Sequence, residues 1–532
     1  MDGSSPAAFD ARIARAVSRF AGVVGAGWAR SSEAELADYY DPFHFGNRQD
    51  HAPSAVVSPQ SVEEVQAILR IANEERVPLW TVSQGKNLGY GGAAPALTGS
   101  IVLELKRMNR ILEIDDKSGY ALIEPGVTFF DLYNGLHAGG HAYWMSTPAL
   151  GWGSVMGNAL ERGLGCHPYA DHEANICGME VVLPDGDLLR TGMGAMEGSC
   201  AWHLNKAGFG PSVDGLFMQS NLGVVTKLGM WLMPQPECFY FCQVKFEHDD
   251  DLGPLIETLR PFKVDGTIPC RAIAVNAIRV AQSVTHRGEW GGGKTALPPD
   301  VVLQIRRKYD IGAWTLVFGV YGREPVVEAQ MKIVRAAFEA IPGAQFTATR
   351  YDGDVAADDV PVAHKQFAGI AGLDQLGIIG WAGPEGAHMG FSPISPLTAE
   401  HALRQARMVR ATSERFGFDY GVAFGALGRR LNHVFMMIYD RTDSEETARA
   451  RACFEALARE GAEAGYGEYR THISFMDMVA GQYGFNDHAQ LRLNQRLKDL
   501  LDPNGILSPG KQGIWPSWRR EDPTRPLPPL EG

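Results

Sequence analysis

The stretch "VPLWTVSQGKNLGYGG", residues 77–92, joins an apolar run to a segment with four glycines. Its first half, "VPLWTVS", predicts a β-strand, and Gly85, Gly89, Gly91 and Gly92 follow directly. Phosphate-binding loops also follow strands, because glycines let backbone N–H groups approach an anion. The loop fits neither G-x-x-x-x-G-K-[ST] nor G-x-G-x-x-G, so a purely structural turn is the alternative interpretation.

A second glycine-rich stretch, "ALGWGSVMGNALERG" (149–163), repeats this pattern with Gly151, Gly153, Gly157 and Gly163. Two such loops within one α/β segment indicate a long ligand held between them. A dinucleotide has that shape, and cofactor sites of this size are clefts with a few well-placed polar groups.

The order of strand and helix signals divides the chain into three parts. In the first part, "SAVVSP" (54–59) predicts a strand, and Ser61 and Glu64 predict a capping box at the start of a helix. The apolar face of that helix comprises Val62, Val65, Ile68, Leu69 and Ala72.

From about residue 237, helical windows at 325–341 and 398–416 alternate with strands such as "TLVFGVYG" and "HVFMMIYD". After about residue 465 the glycine-rich pattern returns. We therefore predict an α+β fold in which residues 1–236 and 465–532 form one split domain around an inserted α+β domain at 237–464. The proline-rich tail after Pro516 is expected to wrap over the surface.

Composition narrows the class of protein. The net charge of −13 and the isoelectric point near 5.6 argue against nucleic acid or an anionic membrane as partner. The chain shows no apolar run typical of a signal peptide or a membrane span. Its seven cysteines are scattered without a C-x-x-C pair, so we expect no metal site, reduced thiols and a cytoplasmic location.

Seven motifs together resemble the vanillyl-alcohol oxidase / p-cresol methylhydroxylase family. They are "GKNLGYGGAAP", "GWGSVMGN", "PYADH", "RTGMGAM", "QSNLGVVTK", "GYGEYRTH" and "DPNGILSPGK". They occur in the same order as in the family, over residues 35–516 or so, and no single motif carries the likeness. The resemblance implies a flavoenzyme with a split FAD-binding domain around a cap domain that covers the substrate.

The resemblance also implies which residues hold FAD. His388, in "GAHMGFSPIS", would be linked covalently to the flavin, and His44 would assist that coupling; a purely structural histidine is the alternative. A neutral imidazole is a nucleophile near pH 7, which suits the role. The remaining cofactor residues would be Ser83, Gly85, Lys86, Asn87, Gly89, Gly91, Pro148, Leu150, Gly153, Ser154, Gly157, Asn158, Tyr169, Val225 and Lys511.

Tyr90, Tyr469 and Arg470 would bind the phenol oxygen of a para-substituted substrate, as the resemblance implies. A hydride leaves the side-chain carbon attached para to a phenol hydroxyl readily only when the phenol is ionised, because the phenolate donates electrons into the ring. A free phenol has a pKa near 10, and a guanidinium at about 4 Å lowers it by about three units. A surface tyrosine beside an ion-paired arginine is the alternative interpretation.

The chain departs from the family pattern at the positions that would handle protons and water beside the substrate. The family sequence Pro-Asp-Leu reads Pro148-Ala149-Leu150 here, so an acid/base aspartate is missing. Ala423 and Gln375 also replace acidic or amide groups, and Cys166-His167 stands where relatives have Tyr-Thr. These residues and Ser392 are the expected substrate pocket, larger and less polar than in relatives. His167 or Glu385 could supply a substitute base.

The resemblance implies oxidation of 4-alkylphenols, 4-allylphenols or 4-hydroxybenzylic alcohols of lignin type. Hydride would pass from the para side-chain carbon to flavin N5 and leave a quinone methide. Molecular oxygen is the expected electron acceptor, a cytochrome c is the alternative, and the protein is expected to be a homodimer. The missing aspartate also leaves open a flavin-binding protein without turnover.

Overall fold

The strand predicted at the start of residues 77–92 forms and ends at Val82, directly before the glycine loop. The structure is a computed structural model that describes residues 6–291 and 293–521. Its strands are, in chain order, β1 (Ala29–Arg30), β2 (Ala55–Val57), β3 (Leu79–Val82), β4 (Ile101–Glu104), β5 (Ile111–Asp115), β6 (Tyr120–Ile123), β7 (Tyr143–Trp144), β8 (Ile176–Val182), β9 (Leu188–Arg190), β10 (Val224–Trp231), β11 (Met233–Pro234), β12 (Cys238–Phe246), β13 (Ala272–Asn276), β14 (Trp314–Gly322), β15 (Gln345–Asp352), β16 (Gly386–Phe391), β17 (Ile394–Pro396), β18 (Val422–Leu427) and β19 (Arg430–Asp440).

The α-helices follow the apolar periodicity of the sequence. They are α1 (Pro6–Val24), α2 (Glu33–Leu36), α3 (Val62–Glu75), α4 (Phe129–Ala138), α5 (Val155–Leu160), α6 (Leu252–Val264), α7 (Ala277–Ala281), α8 (Pro299–Tyr309), α9 (Glu324–Glu339), α10 (Val362–Lys365), α11 (Ala399–Arg415), α12 (Ser444–Glu463), α13 (Met476–Gln482), α14 (Phe485–Leu501) and α15 (Ser517–Glu521).

Helix α3 shows how closely a local prediction matches the structure. The Ser61 hydroxyl accepts a hydrogen bond from Glu64 N at 3.3 Å, as an N-cap does. The predicted capping box is incomplete, because the Glu64 carboxylate accepts from Gln60 N at 2.8 Å rather than from Ser61 N. Of the predicted apolar face, Val65, Ile68, Leu69 and Ala72 are fully buried and Val62 is partly buried.

Two larger sheets belong to the first part of the chain, beside a two-stranded sheet of β7 and β11. The first has the order β1-β2-β4-β3, with β2, β4 and β3 parallel, and the second is antiparallel with the order β5-β6-β10-β8-β9. The segment after residue 500 returns to the first sheet, because Leu79 N donates to Ile506 O and Ser508 N donates to Leu79 O, both at 2.7 Å. The glycine loop at the end of β3 therefore lies beside the C-terminal part of the chain.

The third large sheet has eight antiparallel strands, all between Cys238 and Asp440. Its order is β15-β12-β14-β13-β18-β19-β16, and β17 also pairs with β19. Helices α6, α9, α11 and α12 pack against one another or against this sheet. Helices and antiparallel strands therefore build this region together, and the α+β class is confirmed. The boundaries 1–236, 237–464 and 465–532 stay a prediction.

Helix α15 attaches the end of the described chain to the protein. Trp518 is buried and donates to Asn504 O at 3.3 Å, and Arg520 forms an ion pair with Asp499. The rest of the proline-rich tail lies outside the described residues. Among the described helices, none is long and apolar enough to cross a bilayer.

Candidate active site

The glycine loop has backbone geometry that only glycine adopts freely. Gly85, Gly89, Gly91 and Gly92 all have positive φ values, between +61° and +98°. Asn87 closes the loop, because its side chain donates to Gly92 O at 2.9 Å and accepts from Gly92 N at 2.8 Å. The amide of Asn87 therefore shapes the loop.

A cavity runs along this loop and under the start of helix α5. A Cβ at Gly157 would overlap the Ser83 hydroxyl, so the two predicted stretches approach each other only because residue 157 is glycine. The Ser154 hydroxyl caps α5, accepting from Gly157 N at 2.9 Å. The predicted cofactor and catalytic residues on its walls are Ser83, Gly85, Lys86, Asn87, Tyr90, Gly153, Ser154, Gly157, Asn158, Val225, Arg470 and Lys511.

The cavity wall does not include every predicted cofactor residue. Gly91 packs against Ile473, and Pro148, Leu150, Tyr169 and His44 are not among its wall residues. The buried Nδ1 of His44 has no hydrogen-bond partner among the described residues. Lys511 lines the cavity, and its ammonium forms an ion pair with Glu161.

His388 lies on strand β16, opposite Ile438 of β19. Its side chain is buried, and burial lowers its pKa to about 4, so the imidazole is neutral at pH 7. Its Nδ1 has no hydrogen-bond partner among the residues that the structure describes. A Cβ at Gly89 would overlap this Nδ1, so the loop and the imidazole are in direct contact. A buried, neutral and unpartnered imidazole is available as a nucleophile.

Tyr90 and Arg470 come together although 380 positions separate them in the chain. Arg470 Nη2 donates to the Tyr90 hydroxyl at 3.1 Å, and Arg470 Cζ lies 4.3 Å from the centre of the Tyr90 ring. The ring of Tyr469 is 5.6 Å from the same guanidinium. Arg470 Nε is buried without a partner among the described residues. The three predicted catalytic residues therefore form one cluster, which we call the phenolate clamp.

Electrostatics favour anion binding at the phenolate clamp. Burial raises the pKa of Tyr90, and the nearby Arg470 only partly offsets that, so the hydroxyl keeps its proton. Burial alone would lower the pKa of Arg470, but the oxygens of Tyr90 and Tyr469 more than offset burial and raise it above its ordinary value. The clamp thus offers a permanent cation beside a hydroxyl that can donate.

Comparison with known proteins agrees with this geometry. An FAD binding domain model matches residues 53–192, and a model of the C-terminal domain of FAD linked oxidases matches residues 265–512. The flavoprotein subunit of 4-cresol dehydrogenase (hydroxylating) from Pseudomonas putida is 36% identical over 94% of this chain and 95% of its own. The chain belongs to the vanillyl-alcohol oxidase / p-cresol methylhydroxylase family. The protein is therefore an FAD-dependent oxidoreductase.

Further similar proteins match this chain over nine-tenths of its length or nearly so. The 1'-carboxy-chondrochloren decarboxylase of Chondromyces crocatus is 31% identical over 89% of this chain and 92% of its own. A structure of 4-ethylphenol oxidase from Gulosibacter chungangensis with isoeugenol has a TM-score of 0.92 and 39% identity, covering 97% of this chain and 99% of that one. p-Cresol methylhydroxylase with substrate bound has a TM-score of 0.91 and 35% identity, covering 95% and 97%.

The residues present fit FAD. Residues of the glycine loop line the cavity, and glycine at position 157 lets helix α5 approach Ser83, where a Cβ would overlap the hydroxyl. Arg470 and Tyr90 lie on the wall of the same cavity, and the unpartnered Nδ1 of His388 lies against the loop.

The predicted substrate-pocket residues are only partly brought together. Gln375 Nε2 donates to Gln366 Oε1 at 3.0 Å, and the Cys166 thiol contacts the same oxygen at 3.6 Å. Burial raises the pKa of Cys166 to about 12, so this thiol stays protonated. Ala423 lies on β18 opposite Val275.

The two substitute bases suggested by the sequence lie in unsuitable surroundings. His167 is fully buried, burial lowers its pKa to about 3, and its Nδ1 accepts from Tyr169 N at 3.1 Å. Glu385 pairs with Arg441 at 2.8 Å, and its side chain is half exposed. His167 is too weak a base near neutral pH, and Glu385 is a surface group.

Sequence reasoning missed a buried carboxyl beside the phenolate clamp. Glu468 precedes Tyr469, and its two oxygens accept from Ser392 N at 3.0 and 2.7 Å. Burial raises its pKa to about 8, so it titrates close to neutral pH. Its position in "GYGEYRTH" was a usable signal, because a carboxyl next to a site arginine is a candidate acid/base group.

Two arginines near the predicted pocket were also missed. Arg279 Nη2 contacts Gln375 Oε1 at 3.4 Å, and the guanidinium of Arg271 lies over Gly425. No local motif marks either arginine, because their proximity to the site depends on strand pairing and on the turn into α7. The structure thus adds a cation beside Gln375, and the expectation of a larger, less polar pocket stays a prediction.

Proposed function

We propose that this protein oxidises para-substituted phenols, removing a hydride from the side-chain carbon para to the hydroxyl. The substrates are 4-alkylphenols, 4-allylphenols or 4-hydroxybenzylic alcohols of lignin type. The hydrogen bond from Arg470 to the Tyr90 hydroxyl, inside a cavity of FAD-binding type, carries this proposal. FAD, when bound, supplies the hydride acceptor.

The phenolate clamp prepares the substrate for that transfer. The phenol oxygen lies against Arg470, and the Coulomb attraction at about 4 Å is worth about 4 kcal/mol at an effective dielectric of 20. That attraction lowers the substrate's pKa from about 10 to about 7. Tyr90 keeps its proton and donates to the phenolate, and Tyr469 supplies a second hydroxyl. The ionised ring then stabilises the positive charge that develops at the side-chain carbon as the hydride leaves.

The chain's own residues hold the cofactor. We propose that the glycine loop and the start of α5 bind its phosphates and that His388 forms the covalent link. The neutral imidazole with a free Nδ1 supports that assignment. His44 assists the coupling, and Pro148, Leu150, Tyr169 and Val225 line the cofactor. Ala149, Cys166, His167, Gln375, Ser392 and Ala423 surround the substrate.

The named relatives support a phenolic substrate. One is called a 4-cresol dehydrogenase and another a 4-ethylphenol oxidase, so both act on phenols with a para substituent. A third is called a decarboxylase, so the fate of the substrate differs between relatives.

We further propose that residues 1–236 and 465–532 form the FAD-binding domain and residues 237–464 the cap. Molecular oxygen is the proposed acceptor and a cytochrome c the second candidate. Anaerobic reduction followed by air separates the two, since an oxidase is reoxidised quickly. We also propose that the protein is a homodimer, which light scattering would check. The proposed location is the reducing cytoplasm, and seven cysteines without a disulfide support it.

A panel of para-substituted phenols tests the central proposal, with flavin absorbance under anaerobic conditions as readout. Bleaching by 4-alkylphenols and 4-hydroxybenzylic alcohols, but not by their O-methyl ethers, is the expected result. The ethers are the matched control, because they keep the shape of the substrate and cannot ionise. If no phenol bleaches the flavin, the protein binds flavin without turnover on phenols.

A further inference from the structure

Arg279 is a cation without an anionic partner near the candidate active site. Its one side-chain contact among the described residues is the neutral Gln375 Oε1, at 3.4 Å, and its Nε is buried without a partner. Burial lowers its pKa to about 10, and no neighbouring carboxylate counteracts that effect. An uncompensated buried charge is costly, so such a group is usually retained for a ligand.

The surroundings of Arg279 lack a negative charge that the family resemblance leads one to expect. Residue 375 is glutamine where relatives have glutamate. Gln375 is the residue that touches Arg279. The charge of the guanidinium is therefore not neutralised by the residue that it contacts.

Arg279 acts on the site itself. Its charge contributes to the low pKa of His388, after burial, so the two side chains are electrostatic neighbours. Gln375 connects it through Gln366 to Cys166, which is part of the predicted pocket.

Arg271 adds a second positive charge, directly before strand β13 of the eight-stranded sheet. Residues 273 and 275 of β13, and Arg271 directly before the strand, are partly exposed and alternate with buried neighbours. The guanidinium lies over Gly425, where a Cβ would come within 2.5 Å of Nε. Arg271 N donates to Cys166 O at 2.9 Å, and its charge, like that of Arg470, acts on buried His172.

We propose that Arg279, reinforced by the field of Arg271, binds a carboxylate on the para side chain of the substrate. The preferred substrates are then 4-hydroxyphenyl compounds with a carboxylate-bearing side chain, anchored by Arg470 at the phenol and by Arg279 at the acid. This inference rests on the proposed phenol oxidation and names its substrate class.

The test compares acids with their primary amides, which have nearly the same shape and no charge. The pairs are 4-hydroxyphenylacetate and 3-(4-hydroxyphenyl)propanoate with their amides, and the readout is the second-order rate of anaerobic flavin reduction. A charge-assisted hydrogen bond favours the better-fitting acid by roughly 10- to 100-fold at pH 7. Binding of the O-methyl ethers of the same compounds, followed by the shift in flavin absorbance, gives a second readout without turnover.

Gln375→Glu is the decisive variant, because it places a carboxylate against Arg279 without removing the arginine. The preference for the acid should fall about tenfold or more. Arg279→Met should abolish the preference, and Arg279→Lys should keep part of it. Gln345→Glu, which adds the same charge at the exposed start of β15, is the matched control and should leave the ratio unchanged.

The outcomes separate the two proposals. Flavin bleaching by phenols with equal rates for acids and amides of both lengths overturns the carboxylate inference alone. A preference for the acid that survives both Gln375→Glu and Arg279→Met also overturns it. If no phenol bleaches the flavin, the proposed function fails, and the ether titration still decides whether Arg279 binds a carboxylate.

Discussion

Removing the positive charge of Arg470 should move the pH dependence of flavin reduction upward by up to three units. Arg470→Met keeps much of the side-chain volume and deletes the guanidinium that donates to Tyr90 at 3.1 Å. The remaining hydroxyls can still hydrogen-bond the substrate, but they carry no charge. The substrate must then ionise at close to the pKa of a free phenol.

The magnitude follows from the geometry of the phenolate clamp. A phenol oxygen in hydrogen-bond reach of Tyr90 lies about 4 Å from the guanidinium, where the attraction is about 4 kcal/mol at an effective dielectric of 20. At 1.36 kcal/mol per unit this is about three pKa units, from about 7 to about 10. At pH 7 the ionised fraction, and with it the rate of flavin reduction, should fall by about 10²- to 10³-fold. Most of that rate should return near pH 10.

The substrate is the group expected to produce the rising limb of this profile. The pKa of Arg470 is raised above its ordinary value, so it stays charged over the whole range. The pKa of Tyr90 is also raised, so its hydroxyl stays neutral past the ordinary range of tyrosine. Neither group can therefore produce a rising limb between pH 6 and pH 9.

Stopped-flow absorbance with 4-propylphenol, under anaerobic conditions from pH 6 to pH 10.5, measures the profile. Arg404→Met is the matched control, because Arg404 is exposed and lies 5.7 Å from the ring of Tyr466, a comparable pair outside the clamp. Arg470→Lys should shift the profile less than Arg470→Met. A profile of Arg470→Met that coincides with that of the unmodified protein would show that Arg470 is structural.

Four further changes test individual residues. Acid precipitation should leave flavin colour in the protein pellet, and His388→Ala should release it; colour that washes out of the unmodified protein refutes the link. Gly89→Ala should lower the yield of linked flavin because its Cβ would overlap His388 Nδ1, whereas Gly140→Ala, also at positive φ (+67°) but in open space, should not. The pKa of Glu468 is about 8, so above that pH a negative charge appears beside Arg470. Glu468→Gln should therefore remove any fall in the rate of flavin reduction near pH 8. Ala149→Asp should raise the ratio of benzylic alcohol to alkene from 4-propylphenol, by restoring a group that activates water; an unchanged ratio contradicts that role.

The sequence predicted those parts of the site that depend on local backbone chemistry. A strand followed by glycines predicts a loop with positive φ, and Gly85 and Gly89 adopt it. The spacing of apolar residues predicts the buried face of α3. The phenolate clamp could be named only from the family resemblance, because nothing local to Tyr90 shows that Arg470 will reach it.

Arg279 shows why the rest could not be predicted. The missing polar groups at residues 149 and 423 predict, from sequence alone, a larger and less polar pocket. In the folded protein the glutamine at residue 375 leaves a positive charge without a carboxylate beside it, because Arg279 comes to lie against Gln375. The effect of an uncharged residue on a site therefore depends on which charge it neighbours, and that neighbour is set by tertiary structure. For this reason the departures from the family pattern indicate a change in the charge of the substrate rather than a loss of function.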